Sequence, residues 1–470
     1  MSRRYKGGVI SATAPTTSKS LAAGVWTLPQ QMVAQAAGTW PTQPFDFLLN
    51  LYPGAPTSLG TSPSDGALYL SSGSHSDGYS RIAKYNVQGA IQWQKKYVGP
   101  GCAQNSITGL FVNSSNNLII TARVAPVTVQ IQNINISTGA ITWQKQINFA
   151  GGCNVFNNSP TVCSDTSGNV YVTVFLTVSC LLQQVVIKLN SSGVVQWTTF
   201  LQGPNGTPGS RQIAVDASGN VYLALAQNIG GNLAGLLVKL NSSGAVQWQR
   251  AIRIETNFCC YSSTASLNSL VIDSAGNIYV VGAGLLSGTR RLLVAKYDSS
   301  GTRQWNRYLS APGGNPISNS EVAISIDESD NIYVTGNYLF DYNFFMVKYN
   351  SSGTLQWQRQ ITNAGRRVTG QTFAAGMSDG SPVFLAPTTD TCSADRRQFL
   401  AKIPAGGTKT GTYVLSGVSW VYAASSLTST DFTGTYSSPG PTSTQPTYTT
   451  SDTSYADAAS SLTTATTSLT

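Results

Sequence analysis

The residues with the widest chemical reach in this chain are seven cysteines, one histidine and nineteen carboxylates. Cys102, Cys153, Cys163, Cys180, Cys259, Cys260 and Cys392 include no C-x-x-C pair. Their number is odd, so a regular zinc site is not expected. Cys102 and Cys153 are candidates for a disulfide formed after release into an oxidising medium. His75, in SSGSHSDGY, has no second histidine to work with and reads as a solvated loop residue. Neither a P-loop nor H-E-x-x-H is present. Several carboxylates sit in D-x-S-G-N segments, such as Asp216 and Asp273. These lack the second and third acids of a calcium loop. They suit tight turns instead, where Asp accepts hydrogen bonds from the backbone two residues on and Gly takes the left-handed conformation. The residues thus assign no catalytic group, no metal and no cofactor, and the expectation is a non-enzyme.

Those turn segments recur, and their period reveals the elements that carry them. Trp93, Trp143, Trp197, Trp248, Trp305 and Trp357 stand in equivalent contexts (AIQWQ, AITWQ, VVQWT, AVQWQ, TRQWN, TLQWQ), 50 to 57 residues apart. A second motif, close to D-x-S-G-N-V-Y-V, marks the same period at Tyr69, Ile119, Tyr171, Tyr222, Tyr279, Tyr333 and Phe384, which makes seven units. Within the fourth unit, QIAV meets the turn DASGN, a strand follows from Val221, and a looser loop leads to another strand. NSSG then reverses the chain into the strand carrying Trp248. Four antiparallel strands per ~50-residue repeat are the pattern of a propeller blade. The fold class expected is all-β: a seven-bladed β-propeller of four-stranded blades, with an extended N-terminal arm and a Ser/Thr-rich C-terminal tail.

Composition agrees. Charged residues are 10% of the chain, Gly numbers 45 and aromatics reach 10%, a mixture suited to short strands and tight turns. The net charge of +9 comes from Lys and Arg scattered singly, unlike the clustered footprint of a nucleic-acid surface. Lys84, Lys188, Lys239, Lys296 and Lys348 each precede a repeat Trp by nine residues, and repetition argues for a shared solvated or stem-packed role. Each tryptophan is expected to cover the turn or sheet of the neighbouring blade. To avoid an exposed sheet edge, the ring must join its ends. Phe45 to Tyr52 is expected to supply the outer strand of the last blade, with Thr412 to Ala424 as the rival clasp.

The boundaries that follow are 1–44 for an arm, 45–424 for the propeller and 425–470 for a low-complexity tail. The arm reads as an extended polar stretch and a short helix near Leu28 to Ala37. It offers Tyr5, Trp26, Leu28 and Trp40 for docking on a partner surface. Turns between strands A and B, and between C and D, are nearly constant in length, whereas the loops from D to the next A vary. Any ligand site is expected on that variable face, with Asn257, Phe258, Tyr261, Arg290, Arg291 and Tyr342 as candidates. Six of the seven cysteines fall on the same rim, with Cys163 on a strand A.

The patterns KYNSSGTLQWQR and D-S-A-G-N-I-Y-V resemble the bacterial β-propeller repeats called SBBP repeats and, more distantly, the tryptophan-docking repeats of pyrroloquinoline-quinone dehydrogenases. In that second comparison Cys259-Cys260 is similar to a vicinal disulfide of those enzymes. Their eight blades, signal peptide and calcium-carboxylate site have no counterpart here. Residues Tyr5 to Pro41 resemble the leader of virion proteins of marine tailed phages, with YKGGVIS, GVWTLPQQ and GTWP as the matching pieces. This resemblance implies a virion component, a tail fibre or other appendage, that displays its propeller for host-surface attachment. Its partners would be other virion proteins through the arm and a host cell-surface glycan, in a multimeric particle with no nucleic acid bound. Met1 to Lys6 is basic but no apolar core follows, and no window approaches a membrane span. Synthesis in a host cytoplasm and release by lysis is therefore expected. The alternatives are a purely architectural head or tail decoration protein and a quinone- or carbohydrate-active enzyme.

Overall fold

A computed structural model describes most of residues 56–431, apart from inter-strand loops such as 73–79, 99–105, 202–211, 253–265, 339–342 and 391–395. It also describes 17–18, 21–22, 47–51, 456–458 and 463–466. Blade four shows how the local rule becomes a sheet. Strands Gln212–Val215, Val221–Ile229, Asn232–Leu240 and Val246–Ile252 (A to D) pair antiparallel in sequence order. Because side chains alternate across a strand, Val221, Leu223 and Leu225 pack toward blade three. Tyr222 and Ala224 pack toward blade five. Both faces are buried, which is why the B and C strands read as nearly unbroken apolar runs.

The same plan builds blade one from Pro56–Thr61 to Ile91–Val98, blade two from Ser106–Val112 to Ile141–Asn148, blade five from Ser266–Ile272 to Arg303–Ser310, and blade six from Ala323–Ile326 to Leu355–Thr362. In blade three strand A is split into Gly152–Val155 and Thr161–Ser164, both paired to Val170–Val178. Strands A of successive sheets touch one another around the ring, so they form its inner wall. Leu68, Leu70 and Tyr85 of blade one pack against Val383, Leu385 and Leu400 at the far end of the repeat region. The ring is therefore closed by an apolar seam.

Six blades, not seven, consist of four-stranded units made from their own consecutive strands; this corrects the count expected from the repeat. The reason lies after Lys402, where the next strands in the chain pair on blade six and none pairs with Arg396–Lys402. The remaining sheet has a split inner strand (Arg366–Val368 and Phe373–Gly376), then Pro382–Asp390 and Arg396–Lys402. Its outer strand is Phe47–Leu51 from the N-terminal side, paired from Phe47 with Lys402 to Leu51 with Gln398. The clasp expected at residues 45–52 thus occupies this position. The rival segment instead forms a hairpin, Gly411–Leu415 with Val418–Ala424, on the outer edge of blade six.

Other C-terminal segments do the same elsewhere. Thr428–Asp431 adds a fifth strand to blade five, Ala456–Ala458 to blade two and Thr463–Thr466 to blade one. Residues of the expected low-complexity tail therefore contribute strands. The short helix expected near 28–37 lies outside the described residues. Among the described residues no helix is long and apolar enough to cross a membrane.

Deleting residues 1–52 removes the outer strand that covers Arg396–Lys402. The melting temperature of this variant, followed by circular dichroism, should fall by at least about 5 °C; an unchanged value would show that the clasp contributes nothing to closure.

Candidate functional site

The polar chemistry of the ring is concentrated in one repeated row. In blade five, Tyr279 on strand B lies opposite Lys296 on strand C, which lies opposite Trp305 on strand D. Equivalent rows are Tyr69, Lys84 and Trp93; Tyr171, Lys188 and Trp197; Tyr222, Lys239 and Trp248; and Tyr333, Lys348 and Trp357. The nine-residue interval between Lys and Trp is the C to D hairpin itself. A register shift immediately after each Lys, as at Lys296/Tyr297, sets the Trp directly across from it.

The A to B turn supplies a carboxylate to the row. Asp273 Oδ1 accepts from the backbone N–H groups of Ala275 (3.1 Å) and Asn277 (2.7 Å). Its Oδ2 accepts from Asn277 Nδ2 at 2.8 Å and the Tyr279 hydroxyl at 3.1 Å, and Lys296 Nζ stands 3.3 Å away. Asp165, Asp216 and Asp327 hold their turns and tyrosines alike. The aspartates are therefore turn formers, as their spacing indicates. The lysines are not solvated: the Lys296 side chain is only 12% exposed. Its Nζ lies 4.9 Å from the Tyr279 ring centroid, a cation–π distance.

Each row ends on the next blade. Trp305 Nε1 and Lys296 Nζ both donate to the carbonyl of Ser351, each at 3.2 Å, in the C to D turn of blade six. Trp143, Trp197, Trp248 and Trp357 reach Ser191, Ser242, Ser299 and Ala405 in the same way, at 2.9 to 3.2 Å. Two residues beyond the Trp, Arg250, Arg307 and Arg359 donate Nε to the carbonyls of Gly301, Gly353 and Gly407. Their guanidinium groups stack 5.1 to 5.9 Å from the Trp ring centroids. Sequence reasoning assigned these arginines no role, yet the signal was visible in QWQR, QWNR and QWQR.

The turn glycine is fixed twice over. Gly353 has φ of 77°, and a Cβ there would lie 2.8 Å from the Trp305 ring. Blade one departs from the pattern. The hairpin it faces, Asn135 to Ala140, holds one residue more than its counterparts, the Trp93 Nε1 is buried without a partner among the described residues, and Lys95 takes the Gly139 carbonyl instead.

Electrostatics follow from this crowding. Burial alone would raise Asp273, but the Asn277 side chain and backbone, with Lys296, outweigh it and hold the carboxyl below its ordinary value. Burial first, and then the charge and hydrogen bond of Asp273, push the Tyr279 phenol up. A protonated phenol, a carboxylate and an ammonium are thus locked together beneath the neighbouring turn. This arrangement clamps two blades.

Comparison with protein-family models gives a match over residues 78–337, from the start of strand C in blade one to the end of strand B in blade six. The matching family is PQQ_2, described as "Outer membrane protein assembly factor BamB". The chain belongs to this family. No curated protein sequence matches the chain. Similar solved structures include an uncharacterized protein from Listeria monocytogenes (9% identity, 77% of this chain and 98% of that one, TM-score 0.41). Others are a protein of unknown function from Dyadobacter fermentans (9%, 76% and 98%, 0.42) and the WD40 domain of SCAP from fission yeast (8%, 81% and 94%, 0.41). At these scores the three carry no argument about this chain.

On the PQQ_2 ring, few of the ligand-site candidates can be located. Arg290 and Arg291 open strand C of blade five, opposite Leu285 and Gly284. Arg291 is half-buried, and its Nε is buried without a hydrogen-bond partner among the described residues. Asn257, Phe258, Tyr261 and Tyr342 lie outside the described residues, as do Tyr5, Trp26, Leu28 and Trp40. So do His75, Cys102, Cys180, Cys259, Cys260 and Cys392, which leaves the expected pairing of Cys102 with Cys153 without a described partner. Cys153 falls on the short strand Gly152–Val155. Cys163 sits on strand A as expected, buried and free. Burial, with Asp165 adding to it, pushes its thiol up, so it is inert as a nucleophile.

The string Gly376 to Gly380 reads G-x-S-x-G, yet it joins two paired strands, Phe373–Gly376 and Pro382–Asp390. Strand Pro382–Asp390 follows it in place of a helix, and Met377 to Asp379 lie outside the described residues. Among the described residues no three His, Cys, Asp or Glu side chains form a metal-holding group.

Two variants test the clamp. Gly353→Ala must strain a left-handed turn and displace Trp305, at a cost of about 1 to 3 kcal/mol in urea unfolding, whereas Ser352→Ala should change stability by less than ~0.5 kcal/mol. Asp273→Asn should cost about 1 to 3 kcal/mol at neutral pH. The folded carboxyl is lowered, so its stabilisation is complete above the ordinary carboxylate range and fades as pH falls through the folded value. Wild-type and variant stabilities should therefore converge on acidification, and a gap that stays constant down to pH 2 would remove Asp273 from the clamp.

Proposed function

We propose that this chain is a non-enzymatic virion protein that displays its propeller outward, as a tail fibre or other appendage, for attachment to a host surface. The observation that carries this reading is the commitment of the repeated ionisable residues to the ring itself. The four turn aspartates are occupied by their own turns and tyrosines. Arg250, Arg307 and Arg359 are occupied by the neighbouring glycine carbonyls. A rigid ring with constant turns on one face and variable loops on the other suits recognition rather than turnover. The resemblance of Tyr5 to Pro41 to phage leader segments supports docking through the arm, with other virion proteins as partners and the mature protein in the particle, multimeric there. The scattered positive charge suits an anionic envelope glycan. The propeller is of the SBBP-like kind in this reading.

The second reading is an architectural decoration protein. The observation favouring it is the run of C-terminal strands along the outer edges, a mode that also joins neighbouring subunits. Fluorescently labelled full-length protein, incubated with candidate bacterial cells and their extracted envelope polysaccharide, separates the two. Saturable binding to cells and to polysaccharide is the expected result. Failure to bind either, together with recovery of the chain from purified particles by mass spectrometry, would replace attachment by decoration. Absence from particles would overturn both.

A further inference from the structure

The junction between blades one and two differs from its neighbours in what it buries. Ile120 and Ala122, on strand B of blade two, pack with Ile82 of blade one. Directly opposite them on strand C stand Gln132 and Gln130, and residues opposite one another share a face of the sheet. Both glutamines are therefore on the face that meets blade one. Counted back from the strand C residue of each row, the same two positions are Val185 and Ile187 in blade three, Leu236 and Val238 in blade four, and Leu293 and Ala295 in blade five. Each of these apolar pairs packs against the preceding blade.

Gln130 is fully buried, and among the described residues neither its Oε1 nor its Nε2 has a hydrogen-bond partner. Gln132 is fully buried as well: its Nε2 donates to Gln144 Oε1 at 3.0 Å, while its own Oε1 is unpartnered. Toward the turn end of the same junction, Trp93 Nε1 is buried and unpartnered, whereas the tryptophans of blades two to six reach a carbonyl of the next sheet. A buried amide without partners loses its hydration and gains no bond in return. Parting the two sheets gives water back to these groups, so separation costs less here. At an apolar junction, parting exposes hydrocarbon instead and is opposed by it.

We infer that the junction of blades one and two is the place where the ring parts first, a hinge made by buried, unpartnered amides between two otherwise apolar sheets. The first and last sheets of the repeat region meet elsewhere. That seam is held by Phe47–Leu51 and by the packing of Leu68 and Leu70 on Val383 and Leu385. The ring thus yields one blade beyond its closure and not at the closure itself. Strand pairing within both blades survives the motion, because faces separate and edges do not.

Native-state thiol labelling of the full-length protein, read site by site with peptide mass spectrometry, tests this. Ala122 lies opposite Gln130; the same position in the closing sheet is Ala386, opposite Phe399 and packed toward blade six. Both alanines are fully buried, so a cysteine at either site meets N-ethylmaleimide only when its junction opens. Ala122→Cys should be labelled about tenfold faster or more than Ala386→Cys. Adding Gln130→Met, which keeps the length of the side chain and removes the amide, should slow labelling of Ala122→Cys by about tenfold. Gln130→Met alone should raise the melting temperature by about 2 °C. Equal labelling at the two sites would overturn the inference. So would a lower melting temperature for Gln130→Met, since the amide would then be satisfied in the closed ring. If circular dichroism shows that Ala122→Cys does not fold, the melting temperature of Gln130→Met decides alone.

Discussion

The whole ring depends on a tryptophan N–H that cannot be satisfied within its own blade. Trp305 Nε1 sits on the last strand of one sheet and finds its acceptor, the Ser351 carbonyl, only in the turn of the next. A half-buried indole needs a partner for this group, so blades two to six are each incomplete until the neighbour arrives. Apolar packing between the sheets supplies most of the stabilisation but is indifferent to small slips. The indole hydrogen bond, together with the arginine two residues on, fixes where one sheet sits on the next.

This constraint explains why residue types that usually signal chemistry are spread evenly around the molecule. Asp shapes the A to B turn, Tyr caps that Asp, Lys bridges Tyr to the next turn, and Trp and Arg grip the turn itself. The site is a row across three strands, because the residue opposite in a sheet is the nearest neighbour. Blade two shows that the parts are separable. Ile119 and Asn133 replace Tyr and Lys there, yet Trp143 still reaches Ser191. The tryptophan contact is thus the minimal element, and the Tyr, Lys and Asp groups reinforce it.

Much of this was legible in the sequence. The Trp period gave the blade length, and D-x-S-G-N and N-S-S-G gave the turns. The need to close the ring pointed to an N-terminal clasp at Phe45 to Tyr52, which Phe47–Leu51 provides. What escaped was relational. Lys296 looks like a surface residue because its burial is created by the turn of blade six, some fifty residues on. The arginines after Trp have no local role to betray them, since their acceptors are backbone carbonyls of another blade. The ligand-face candidates fared worst. Loops have no period, so neither their contacts nor their convergence can be read from spacing.

The distribution of order in the molecule follows from the same physics. A propeller solves the edge problem only along its inner and lateral faces; every blade still ends in an outer strand with unpaired backbone groups. Natural edges are usually blunted by charge, proline or a bulge. Here strand D of blade six reads LQWQRQIT, and its arginine is drawn sideways onto the next turn. That leaves the edge itself unguarded. An appended strand answers this, because backbone pairing asks little of side chains. A Ser/Thr-rich segment of strong strand propensity and low charge is therefore enough to cover it. The composition that marks the C-terminal region as low in complexity is the composition an edge strand needs. The strands observed on blades six, five, two and one connect that bias to a structural task.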